Sequence, residues 1–185
     1  MKNELAAWSS FYVTIGSAAA SLTGLTFVVI TLVTSMERTP PEEGLAVFTT
    51  PTVLHFGTAL LIAALLSVPW QSPSGPAICL IIIGLCGLGY TISIMYRTKH
   101  LRAYEPDLSD WLCYTILPFL AYAAVFSAGL MWLSAMRAQA AFVIAAGALL
   151  LIFLGIRNSW DVVTFLVARN IKRPGSRTQS QHDEP

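Results

Sequence analysis

The sequence predicts an all-α fold: an integral membrane helical bundle of about five transmembrane helices, with its N-terminus outside and its C-terminus in the cytoplasm. Three observations predict it. Of 185 residues, 55% are hydrophobic and 11% charged, less than half the roughly 25% of soluble domains. No Asp, Glu, Lys or Arg occurs in 5–36, 44–96, 111–136 or 138–156, and about 20 apolar residues at about 1.5 Å each cross a hydrocarbon core about 30 Å thick. The basic residues, finally, segregate to one side once the runs are threaded through a bilayer. The length allows one domain, 1–173, and the polar tail 174–185 should be disordered.

The first span reads 11–34. Leu5 to Ile15 followed by Ala18-Ala19-Ala20 mimics a cleavable signal peptide, but the apolar run continues to Val33 and Glu4 accompanies Lys2, which favours a retained span. Glu37-Arg38 and Pro40-Pro41 stop it, and Glu42-Glu43 belongs to a loop. Thr49-Thr50-Pro51 reads as the start of the second span, 51–70, since Thr caps free amides and Pro tolerates the first helical position. The turn formers of Gln71 to Pro76 split the run 44–96 into a hairpin, and the third span is 77–96. Arg97 to Asp110, with Lys99, His100, Arg102, Glu105 and Asp107, reads as a solvated loop. The fourth span is 111–135. Pro118 within it frees the carbonyl of Tyr114, so a kink and a possible hinge fall there.

The fifth span is 139–157. Arg157 and Asp161 stand four apart and can pair on one helix face. The favoured arrangement ends the span near Ile156, with Arg157 snorkelling and an amphipathic extension, 158–171, along the cytoplasmic surface. Its alternatives are a slid span that puts the pair in mid-membrane, where a charge is costly, and one continuous helix projecting into the cytoplasm.

Orientation follows from the Lys and Arg residues retained near cytoplasmic span ends. The N-terminus and the turns 71–76 and 136–138 hold only Lys2 and Arg137. The opposite side receives Arg38, Arg97, Lys99, Arg102, Arg157, Arg169, Lys172, Arg173 and Arg177, nine of the eleven. Trp8, Trp70 and Trp132 then fall at outer ends and Trp111 and Trp160 at inner ends, the headgroup level where an indole keeps its N–H wet.

Spans associate in lipid through close backbone approach and interhelical hydrogen bonds. Gly16, Ala20 and Gly24 recur every four residues in the first span, and the third carries the row Cys86, Gly89 and Ser93 beside Gly84 and Gly87. Ala141 and Ala145, then Ala148 and Gly155, supply equivalents in the fifth. These helix-packing faces fit either a homo-oligomer interface or, with greater weight, packing inside one protomer.

The segment from Trp8 through Phe11-Tyr12, the Ala-rich stretch Gly16 to Ser21 and Leu25-Thr26-Phe27-Val28 resembles the opening helix of uncharacterised small bacterial multi-pass inner-membrane proteins. The resemblance covers about thirty positions. It implies a bacterial inner-membrane setting and carries over no mechanism and no catalytic residue.

Function classes narrow accordingly. A net charge of +1 gives no basis for nucleic-acid binding. Cys79, Cys86 and Cys113 lack any metal or disulfide spacing and read as buried small hydrophobes. No nucleophile with a base, paired carboxylates, metal cluster or phosphate loop assembles, so neither catalysis nor a cofactor is expected. His55, a lone intramembrane imidazole, fits a relay or axial ligand less well than a neutral His bonded to a neighbouring helix. The basic segment Arg169 to Arg173 can attract anionic lipid, although a topology signal already accounts for it. The sequence therefore favours a scaffold or modulator that works in a membrane complex. The runner-up is a homo-oligomeric channel or transporter with a polar path lined by Thr23 and Thr26, whose hydroxyls can equally bond back to their own helix.

Overall fold

The computed structural model describes residues 2–36, 42–100, 112–134 and 136–171, with side-chain environments for 5–32, 50–96, 112–134, 136–161, 163 and 164. The stop signals Glu37 to Pro41, the loop acids Glu105, Asp107 and Asp110, Trp111, the basic residues Lys172 to Arg177, His182 and the tail 174–185 lie outside the described residues. Among the described residues there are six α-helices and a π turn: α1 (Lys2–Ala7), α2 (Ser9–Met36), α3 (Glu42–Ser67), α4 (Ser74–His100), the π turn Leu112–Ile116, α5 (Leu117–Leu133) and α6 (Arg137–Ile171). No strand occurs among the described residues. Five segments are long and apolar enough to cross a membrane: Ser9–Leu32, Thr50–Ser67, Ser74–Tyr96, Leu112–Leu133 and Arg137–Asp161.

Several boundaries differ from the sequence reading. Helix α3 begins at Glu42, so Thr49-Thr50-Pro51 is not its start, and Glu42-Glu43 sits in its first turn instead of in a loop. Pro51 lies inside the helix, where it leaves one carbonyl without its usual donor. The third apolar segment begins three residues earlier than expected, at Ser74, and ends at Tyr96 as expected, while its helix continues through Arg97 to His100. Helix α6 runs unbroken for 35 residues, so 158–171 extends the fifth span as one helix, with no interruption at Ile156 to lay it along a surface.

The antiparallel helices do not pack in chain order. Helix α2 lies on α3, α3 on α6, α6 on α5 and α5 on α4, while α3 and α4, joined by a short turn, share little contact. One end of the bundle holds the start of α2 and the connections α3–α4 and α5–α6; we term it the turn end, and its opposite, where α6 finishes, the tail end.

Small residues permit the closest crossings. A Cβ on Gly84 would lie 2.6 Å from the Cα of Phe126, and one on Gly129 3.0 Å from the carbonyl oxygen of Ala77, so α4 and α5 meet backbone to backbone. Gly147 brings α6 onto Ala121 and Val125 of α5, and Gly155 accepts the Phe56 ring of α3. The core itself is built from Ala59, Ile62, Val125, Ala128, Ile144, Ala148 and Leu151, all fully buried. In lipid such packing gains dispersion contacts more than it removes surface from water, so fit decides its strength.

Trp132 departs from the interfacial pattern expected of it. Only 1% exposed, it belongs to the core, and its indole N–H has no hydrogen-bonding partner among the described residues. Trp8 and Trp70 are half-buried, Trp70 donating to the Leu65 carbonyl oxygen at 2.8 Å to close the end of α3. Trp160, 65% exposed, projects outward.

Candidate functional site

Among the described residues four buried side chains are polar, namely Thr52, His55, Thr91 and Asn158, and all belong to the tail-end half of the bundle. An apolar interior tolerates such groups when hydrogen bonds compensate their desolvation. Thr91 meets that demand locally, donating to the Gly87 carbonyl oxygen at 2.8 Å.

His55 meets it across helices. Its Nδ1 lies 3.1 Å from the hydroxyl oxygen of Tyr122 on α5, and the bond forms whichever tautomer supplies the proton. Gly87 makes room for this arrangement, because any Cβ there would overlap the Tyr122 ring. The sequence reading of His55 as a residue bonded to a neighbouring helix is thus the geometry observed, and its partner is Tyr122.

A second polar group ties α6 to the π turn. Arg157 and Asp161 form the i,i+4 ion pair, with side chains 34% and 27% exposed. The Tyr114 hydroxyl donates to the other Asp161 oxygen at 3.2 Å. Pro118 places Tyr114 for this contact. It has no N–H to give the Tyr114 carbonyl, and the chain widens into the π turn Leu112–Ile116 just before it. Pro118 is buried near the start of α5, so the anticipated irregularity takes the form of a π turn.

Asn158, which the sequence reading passed over, is 1% exposed. Neither its amide oxygen nor its amide nitrogen has a hydrogen-bonding partner among the described residues. A signal for its burial existed: the spacing Leu151, Leu154, Asn158 continues one face of α6 past the charged Arg157.

The small-residue rows divide. Gly16 packs, its would-be Cβ 3.3 Å from that of Ala63, and Gly84 and Gly87 form the α4 crossing. Ala141, Ala145, Ala148 and Gly155 are buried as well. By contrast Ala20 is exposed, and Gly24 and Gly89 have no neighbour within 4 Å of a Cβ position. The buried face of α2 is instead Tyr12, Ile15 and Ala19. Its outward face carries Ser17, Ala20, Ser21 and Gly24, so packing within the chain does not account for the Gly16-Ala20-Gly24 row beyond its first member.

Thr23 and Thr26 donate to the carbonyl oxygens of Ala19 and Leu22, each at 2.8 Å, and Thr14 and Thr31 bond back in the same way. Thr26 borders an open cleft of about 320 Å³ whose other walls include Leu22, Thr52, Phe56 and Ile156. That cleft is apolar. The cysteines are free, and Cys86 is exposed on α4, which corrects its reading as a buried hydrophobe; Cys79 and Cys113 are half-buried. Among the described residues no three His, Cys, Asp or Glu side chains converge as metal ligands would. Comparison with protein-family models, curated proteins and solved structures finds no match.

Proposed function

We propose that the chain is a multi-pass protein of a bacterial inner membrane that acts without catalysis, as a scaffold or modulator whose outward α2 face seats a helix of another membrane protein or of a second copy. The observation that carries this reading is the outward row of small residues, Ala20, which is exposed, and Gly24, which has no described neighbour within 4 Å of a Cβ position. Small residues at four-residue spacing admit a partner helix to van der Waals distance, and lipid chains fill such a groove less well. The positive-inside bias supports a cytoplasmic tail end, with nine of eleven Lys and Arg on that side. A polar path along α2 is less well supported, because the Thr23 and Thr26 hydroxyls are committed to their own backbone.

The test is thiol cross-linking in native membranes. With Cys79, Cys86 and Cys113 replaced by Ala, Ala20→Cys should give a defined cross-linked species that Gly24→Leu abolishes. Masses of twice the chain identify a self-complex, and other masses a separate partner. No cross-link at position 20, together with an unchanged complex size in Gly24→Leu, sinks the proposal. A cytoplasmic reporter fused after Pro185 should be active; activity of a periplasmic reporter there would reverse the orientation.

A further inference from the structure

Asn158 presents two donor hydrogens and an acceptor oxygen to the interior of the bundle, and the described residues engage neither end of its amide. Its surroundings follow from the helix register. The Phe56 ring of α3 sits against Gly155 of α6, so on these antiparallel helices Asn158, three residues beyond Gly155, falls at the level of Thr52 and His55. His55 turns from α3 toward Tyr122 of α5, and α6 packs against both α3 and α5. Three helices therefore bring polar side chains to one level. Toward the turn end lies the apolar, fully buried layer of Ala59, Ile62, Val125, Ile144 and Ala148.

We infer that α3, α5 and α6 enclose a hydrated site at this level, in which bound water hydrogen-bonds to the Asn158 amide on the side of the bundle that carries His55. The charge pattern selects the ligand. Asp161 is the one carboxylate among the described side chains, and Arg157 and Tyr114 already engage it, which leaves no anionic ligand for a cation. Arg157 is likewise engaged by Asp161, so among the described side chains at this level no unpaired cation draws an anion. A neutral molecule that both donates and accepts satisfies the amide at both ends, and buried water commonly bridges groups of this kind.

Water-edited solid-state NMR on the full chain in phosphatidylethanolamine–phosphatidylglycerol vesicles tests this. Asn3→Gln and Asn170→Gln, both near chain ends, leave Asn158 as the single asparagine, so selective ¹⁵N-asparagine labelling isolates its side-chain amide. That amide should gain signal from water at short mixing times, several-fold faster than the backbone amide of Ile144 in a matched, uniformly ¹⁵N-labelled sample. Build-up no faster than that of Ile144 overturns the site. As a second reading, Asn158→Leu should lower the melting temperature in the same vesicles by stripping the water from its remaining partners. A raised melting temperature would mean that the amide had been a dry, unpaired group, and the inference would fail.

Discussion

The two halves of the bundle are held by different means. Toward the turn end and through the middle, glycines let helices approach closely: Gly16 faces the Ala63 methyl, and Gly129 and Gly84 face the backbones of Ala77 and Phe126. Toward the tail end the spacing admits larger side chains, and bonds join the helices: His55 to Tyr122 and Tyr114 to Asp161. Both are ways of joining apolar helices, and where the surroundings are as apolar as the helices, as lipid is, burial alone gives little association. Shape serves one half, and hydrogen bonding supplements it in the other.

Substitutions can break the contrast where it is sharpest. Gly84→Val must push α4 off the Phe126 backbone and should cost about 3 kcal/mol, whereas Gly24→Val, with open space around it, should leave the fold within about 0.5 kcal/mol. Reversible unfolding in mixed micelles would report both, and equal losses would refute the packing assignment. Ile144→Ala should follow at about 2 kcal/mol, because a cavity in the apolar layer forfeits its contacts whatever the outer solvent. In the polar half the effects are smaller. Tyr122→Phe should cost about 1 kcal/mol, and a cycle with His55→Leu should recover most of it as coupling, as for interhelical bonds measured in membrane proteins; strict additivity would mean that the two groups do not interact. Asp161→Asn comes last at about 0.5 kcal/mol, since its pair is partly exposed, and that loss should shrink as salt is raised.

Much of this architecture was legible in the residues. Five helices long and apolar enough to cross a membrane followed from charge-free runs, the Arg157–Asp161 pair from its spacing, and the irregularity near Pro118 from a missing N–H. The start of α3 was not legible, because Thr-Thr-Pro reads as a cap, whereas the helix begins at Glu42 and runs through it. Nor was it legible which small residues pack. In a soluble helix polarity marks the outward face, but here both faces are apolar, and Gly24 and Gly84 differ only in what stands opposite them. His55 was visible as a candidate, while its partner Tyr122 was hidden among ordinary aromatics 67 residues away in sequence. Asn158 was overshadowed by the charges flanking it.

The packing order has a consequence for biosynthesis. Helices α2 and α3 form one antiparallel pair and α4 and α5 another, each complete as soon as its second member has been made, yet the pairs share little contact until α6 enters between them. Chains are made and begin to fold from the N-terminus, so the ribosome delivers two loose hairpins and then, last of all, the wedge that unites them. A nascent chain halted before Arg137 would own every residue of both pairs and still lack Ile144, Ala148 and Leu151, the side chains that turn two neighbours into one protein.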